Sequence, residues 1–189
     1  MTLKSFDISK AWTLFLDRDG VINQRLTNDY VKHPDNFRFL DGVGEAIKTF
    51  SQIFGRIVVV TNQQGIGRGL MTEEMLKQIH QKMIQAVQGS GGRIDGIYFC
   101  SGLAEAHPFD RKPNVGMALK ARKDFPEIRF KKSIIAGDSR SDMLFGRRLG
   151  MTTVLIGESH SIAIENPSLV DYYFTSLIEM ATEIKAVSK

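Results

Sequence analysis

Short apolar runs alternate with stretches of helical periodicity along most of this chain. The strand-like runs fall at residues 12–17, 56–61, 96–100, 133–137, 152–156 and 172–175. Several are apolar throughout, as expected of parallel strands covered on both faces rather than one. Between them, Val43, Ala46, Ile47, Phe50 and Ile53 form one apolar stripe at helical spacing, with Asp41 placed to cap its start. Leu76, Ile79, Met83 and Ala86 form a second, with Glu73 and Glu74 favouring the positive end of the helix dipole. Further helices are predicted over 115–123, over 141–149 with Gly150 as the C-cap, and over 177–187. Strand alternating with helix is the sequence form of an α/β fold built on a parallel sheet. No repeat or linker divides it, so residues 1–189 are expected to form one domain.

In such a sheet, functional groups gather beyond the carboxyl ends of the strands. Those positions hold Asp17 and Asp19 after the first strand, Thr61 and Asn62 after the second, and Asp138 after the fourth. Lys112 lies on the loop before the third helix. Singly, each is explained by a turn, a cap or plain surface. Their recurrence at one strand end after another points to chemistry.

A phosphate monoester is dianionic and repels a carboxylate nucleophile until a divalent cation neutralises both. Asp17 can bind such a cation with one oxygen and attack phosphorus with the other, while Asp138 gives the cation a second carboxylate. Oxygen ligands with room left for water and phosphate suit Mg²⁺. Asp19, two residues on, can protonate the leaving alcohol and then take a proton from the attacking water. Thr61 offers a hydroxyl to the phosphoryl oxygens and Lys112 a fixed positive charge. Asp142 can orient Lys112, or can be an ordinary first-turn acid.

The segments Asp17-Arg18-Asp19-Gly20-Val21, Thr61-Asn62, Arg111-Lys112-Pro113 and Gly137-Asp138-Ser139-Arg140-Ser141-Asp142 resemble, in order and spacing, the motifs of haloacid-dehalogenase-like phosphatases. The resemblance implies a three-layered Rossmann-like sheet and a phosphoaspartate intermediate. It also implies Mg²⁺ held by Asp17, Asp138 and the main-chain carbonyl of Asp19. Ile22-Asn23, Tyr30-Val31, Gln63 through Gly69 and Asn114 through Met117 extend the likeness. They point to the branch containing D-glycero-D-manno-heptose 1,7-bisphosphate 7-phosphatases and histidinol phosphatases. By that likeness Asn62, Arg111 and Lys112 hold phosphate and Asn23 lies close to the substrate. The segment 61–69 is also similar to polynucleotide 3′-phosphatases, so a 3′-phosphate end is an alternative, beside histidinol phosphate and other sugar phosphates. A response-regulator-like phospho-switch is the non-enzymatic alternative. The acid two residues past Asp17 favours turnover.

Residues 17–61 leave space for a flap and one helix, so no separate cap domain is expected. Selectivity then falls to few contacts, for which Arg25, Lys32, His33 and Arg111 are candidates. Relatives usually carry a structural zinc site of three cysteines and a histidine before the Arg-Lys-Pro motif. Here Cys100 is the only cysteine of the chain, and with His107 it cannot complete such a site, so no structural zinc is expected. A single cysteine also suits a reducing cytoplasm. The net charge of +4 is spread over scattered lysines and arginines, with no basic stripe for nucleic acid and no apolar run long enough for a membrane. The expected partner is a small phosphorylated metabolite.

Overall fold

The computed structural model describes residues 7–27 and 29–188. Six parallel strands form one sheet: β1 (Thr13–Leu16), β2 (Arg56–Asn62), β3 (Gly96–Cys100), β4 (Ser133–Gly137), β5 (Thr152–Ile156) and β6 (Tyr172–Phe174). Their spatial order is β3-β2-β1-β4-β5-β6. The chain winds outward from β1 through β2 to β3, then returns to the other side of β1 and winds outward again. The reversal lies between β1 and β4, where ligands bind in open α/β sheets. Register there pairs Leu16 with Ala136, and the Asp17 amide donates to the Ala136 carbonyl at 2.9 Å. Thus the residues leaving these two strands, Asp17 and Asp138, emerge side by side.

Side chains alternate between the faces of the strands. Leu14 and Leu16 of β1 point to the same side as Ile57 and Val59 of β2, into a core completed by α1 (Val43–Ile53), α2 (Glu73–Gly89) and α6 (Leu177–Val187). Phe15, Val58, Val60 and Ile135 point the other way, against α3 (Gly116–Asp124) and α4 (Arg140–Leu149). The Phe15 ring meets Phe145 of α4 edge-on at 6.5 Å. Each fully buried side chain of this size contributes about 1.5–3 kcal/mol of burial. Both faces are therefore covered by helices, which gives the three-layered Rossmann-like α/β architecture expected of the sequence.

The differences from expectation are local. The cap position of α1 is Gly42, not Asp41, at φ 72° and without a side-chain hydrogen bond. A Cβ on Gly42 would sit 2.9 Å from Ile178, so the glycine permits close packing of α1 against α6. Helix α3 starts at Gly116 rather than residue 115, and α4 at Arg140 rather than residue 141. A five-residue helix, α5 (Ser161–Glu165), has no counterpart in the sequence pattern, being too short to show a period. Between β1 and α1 lie only two isolated β-bridges and a 3-10 turn at Pro34–Asn36 among the described residues. Between β3 and α3 there is another 3-10 turn, Ala104–Ala106, and no larger insertion. No helix among the described residues is long and apolar enough to cross a membrane.

Candidate active site

Beyond the carboxyl ends of the strands lies a cleft of about 300 Å³. Asp17, Asp19, Thr61, Asn62, Arg111 and Lys112 line it, together with Ser139, Ser141, Gln64 and the flap residues Arg25, Leu26, Tyr30 and Val31. Lys32 and His33 do not line it. Lys32 pairs with Asp29 at 2.9 Å and His33 with Asp35 at 3.3 Å, both on the surface.

Lys112 is the hub of one half. Its Nζ meets Asp17 Oδ1 at 2.9 Å and Asp142 Oδ1 at 2.5 Å, and donates to the Val60 carbonyl at 2.7 Å. All three N–H donors are thereby used, and the residue is only 3% exposed. Burial would lower its pKa, but the Asp142 and Asp17 carboxylates outweigh it and hold the pKa above the usual lysine value. Asp142 is itself fixed at the start of α4, where its Oδ2 receives the Ser139 N–H at 3.1 Å and the Ser139 hydroxyl. Gly137 makes room for it, since a Cβ there would lie 2.2 Å from Asp142 Cβ.

Asn62 plays a part that its expected contact with phosphate did not suggest. Its Oδ1 accepts the Lys112 N–H at 3.0 Å and its Nδ2 donates to the Lys112 carbonyl at 3.1 Å. It clasps the main chain that delivers Lys112, as a strand-end amide can when it faces an unpaired peptide unit. The Lys112–Pro113 peptide bond is cis. Arg111 stands on the cleft wall with a buried Nη1 that has no hydrogen-bond partner, a donor left for an anion.

Asp17 and Asp138 form the acidic centre. Ligand atoms of Asp17, Asp138 and Asp142 lie within 4.8 Å of one another. Burial foremost, then Asp142, pushes the Asp17 pKa up to about 6 against the pull of Lys112. Burial and Asp17 together push Asp138 up to about 7, opposed by Arg25. Arg25 reaches over from the flap to Asp138 Oδ1 at 2.9 Å. Carboxylates held this close repel unless a cation joins them, and their hard oxygens fit a small divalent ion. Asp142 is spent on Lys112 and Ser139, whereas both protein contacts of Asp17 fall on Oδ1, from Lys112 and the Arg18 N–H. The main-chain carbonyl of Asp19 accepts none of the backbone hydrogen bonds of its turn. Gly20, at φ 90°, lets that turn close on Asp138: a Cβ would fall 1.9 Å from Asp138 Oδ2.

Asp19 belongs to a different environment. Arg18, fully buried, donates through Nη2 to both Asp19 oxygens at 2.9 Å. Asn23 Nδ2 donates to Oδ1 at 2.9 Å and Gln63 Nε2 to Oδ2 at 2.7 Å. Burial would raise the Asp19 pKa, but Arg18 and these donors hold it below the usual carboxylate range. Behind Arg18, His80 Nε2 lies 3.3 Å from Nη1. Asn23 acts here through Asp19. It is 0% exposed, is not among the residues lining the cleft, and holds Asp19 from beneath. Arg18, Gln63 and His80 were not among the expected site residues. The signal available was Arg18, a charged side chain between two acids at the end of an apolar strand.

The family model described as polynucleotide kinase 3 phosphatase matches residues 13–180. A D-glycero-alpha-D-manno-heptose-1,7-bisphosphate 7-phosphatase from Mycobacterium bovis is 35% identical over 176 residues, covering 92% of this chain and 91% of the relative. The chain belongs to the haloacid-dehalogenase-like phosphatases. A D-glycero-beta-D-manno-heptose-1,7-bisphosphate 7-phosphatase from Yersinia pestis is 34% identical over 182 residues, covering 92% of this chain and 95% of that one. Among solved structures, the D,D-heptose 1,7-bisphosphate phosphatase from B. bronchiseptica, complexed with magnesium and phosphate, superposes with a TM-score of 0.83. It shares 29% identity, over 92% of this chain and 97% of that one. As a member of this family the protein is a phosphatase, a hydrolase, with the parallel-sheet architecture of its relatives.

Proposed function

We propose that the enzyme hydrolyses a phosphate monoester through an aspartyl-phosphate at Asp17, and that its substrate is a heptose 1,7-bisphosphate cleaved at the 7-phosphate. The observation that carries the reaction is the position of Asp17. It is a buried carboxylate at the sheet reversal with Lys112 on one oxygen, Asp138 beside it and Asp19 two residues away. Asp17 attacks phosphorus, forming an oxygen–phosphorus bond as the bond to the sugar oxygen breaks, and Asp19, which must first take up a proton from solvent, passes it to that oxygen. A water molecule then attacks the phosphoaspartate and loses its proton to Asp19, which frees Asp17 and inorganic phosphate. Thr61 and Arg111 hold phosphoryl oxygens, Lys112 supplies charge, and Asn62 keeps Lys112 in place. Mg²⁺, held by Asp17, Asp138 and the Asp19 carbonyl, would neutralise the charge of nucleophile and phosphate.

The heptose reading is supported by the names of the relatives and by the cleft. Without a cap, a small site gains selectivity from a second phosphate anchored away from the first. Arg111 and Arg25 line this cleft as cations. The relatives divide between alpha and beta anomers at near-equal identity, 35% and 34%, so likeness does not choose the anomer. Side-by-side kcat/KM values on both anomers, histidinol phosphate and a 3′-phosphorylated oligonucleotide test the substrate. Faster turnover of either of the last two overturns the heptose assignment and leaves the phosphatase. Calorimetric titration with Mg²⁺ tests the metal, with Asp138→Asn expected to abolish the binding heat.

A further inference from the structure

We propose that Gln63 is a positioning residue that ties the proton-transferring carboxylate of Asp19 to the phosphoryl-binding hydroxyl of Thr61. The inference rests on the roles given to those residues above. Gln63 is 1% exposed and follows directly on β2, where its own N–H donates to the Cys100 carbonyl at 2.7 Å. Its backbone is thus pinned to the neighbouring strand. From there its side-chain nitrogen donates to Asp19 Oδ2 at 2.7 Å and to Thr61 Oγ1 at 2.9 Å.

This orientation of the amide fits the ionised form of Asp19. An ionised carboxylate only accepts hydrogen bonds, so a reversed amide would set oxygen against oxygen at Asp19. Gln63 Oε1 is left buried without a partner. Leaving such an acceptor unsatisfied is costly, so the two donated bonds are what hold the amide this way round.

Both acceptors gain direction. Thr61 receives a hydrogen bond from Gln63, so its own O–H is left to donate to another acceptor, and Thr61 lines the cleft. Asp19 is gripped from two sides. Arg18 holds both oxygens, and Gln63 approaches Oδ2 from the end of the next strand. One side-chain nitrogen thereby sets the distance between the group that handles the leaving oxygen and the group that orients the phosphoryl oxygens.

The test uses the dependence on leaving group. An alkyl oxygen needs a proton as it departs, whereas p-nitrophenolate leaves unaided. Gln63→Leu removes both donors and keeps most of the volume. We expect its kcat on an alkyl phosphate monoester to fall about tenfold or more, with KM little changed and with much less loss on p-nitrophenyl phosphate. Equal losses on both substrates, or no loss on either, overturn the proposal. Should Gln63→Leu fail to fold, Gln63→Glu takes its place. It keeps the shape but sets a carboxylate against Asp19, and the same selective loss is expected. Asp19→Asn separates this inference from the reading beneath it. If Asp19→Asn leaves the alkyl-to-aryl ratio unchanged, the role of Asp19 is wrong. If Asp19→Asn lowers the ratio and the Gln63 variants do not, only the role of Gln63 is wrong.

Discussion

Two carboxylates two residues apart on one strand end sit in opposite surroundings. Asp17 lies among other acids, with Lys112 as its counter-charge, and its proton affinity is raised. Asp19 is enclosed by Arg18, Asn23 and Gln63, and its proton affinity is lowered. Asp17 faces the β4 side, where Asp138 and Asp142 arrive, while Asp19 faces Arg18 and Asn23 of its own loop and Gln63 beyond β2. A cation beside Asp17 would favour its ionised, attacking form, whereas donors on both oxygens of Asp19 fix where that carboxylate points. Each half can be broken separately.

The largest effect belongs to Asp17→Asn. The amide preserves shape but removes the attacking charge, so no turnover above background is expected on any substrate, with the melting temperature retained or raised as repulsion with Asp138 is relieved. Asp19→Asn should cost on the order of 10²–10⁴-fold on an alkyl phosphate. Phosphate-release assays of both purified variants at saturating Mg²⁺ measure this. Wild-type rates from either would dissolve the division of labour between the two halves.

How much of this was visible in the sequence depends on range. The six strands and the residues at their ends followed from apolar runs and spacing, because burial on both faces leaves a continuous hydrophobic signature. That Asp17, Thr61 and Asp138 lie on one side of the sheet needed only the rule that parallel strand ends share a side, whereas Lys112 arrives on a loop and its contact with Asp17 comes from the fold. The enclosure of Asp19 was not visible. Nothing in the order of residues says that Asn23 turns inward, that Arg18 is wholly buried, or that His80 from α2 arrives behind it. Those are packing outcomes over long separations. The cap of α1 failed for a similar reason, since Gly42 is required by contact with α6, far away in sequence.

A smaller effect sharpens the Lys112 half. Arg111→Ala removes a guanidinium whose Nη1 is buried and unpaired at the cleft wall. Loss of one charge-assisted contact should lower kcat/KM on a bisphosphate by about tenfold or more, a few kcal/mol at most. A simple monophosphate should be hurt less if Arg111 grips the second phosphate, and equally if it grips the one being transferred.

The Asp19 half has a pH signature through His80. Burial first, then Arg18, pushes this imidazole down to about 3 from 6.5. Below pH 6.5 the unfolded chain therefore takes up a proton that the folded chain refuses until about pH 3. Stability contributed by the neutral histidine is complete above that window and is lost as pH falls through it, by up to about 1.4 kcal/mol per pH unit. His80→Gln keeps an acceptor for Arg18 and removes the proton site. Urea melts between pH 4 and 6.5 should show a shallower acid dependence in the variant, and identical slopes would mean that His80 titrates freely.

The smallest effect expected is none at all, on removing zinc. Lys112 is delivered by the loop after Cys100, so the Lys112 half depends on how that loop is held. Here protein contacts hold it. Asp110 pairs with Lys120 at 2.5 Å, Asn114 Nδ2 donates to the Pro108 carbonyl at 3.0 Å, and the Gly116 N–H donates to the Phe109 carbonyl at 3.1 Å. At its other end, the Gly67 N–H donates to the Ser101 carbonyl at 3.1 Å. Cys100 is buried, and only His107 accompanies it as a soft ligand in the loop, too few for a closed tetrahedral site. Because structural zinc contributes folding energy directly, a zinc-bound loop would melt early in a zinc-selective chelator. We expect no stoichiometric zinc by elemental analysis after dialysis and an unchanged melting temperature with chelator. Asp110→Ala should instead cost about 0.2–1 kcal/mol, the usual worth of a partly exposed ion pair. A tightly held equivalent of zinc, or a chelator-induced loss of stability, would show that the loop is organised by metal after all.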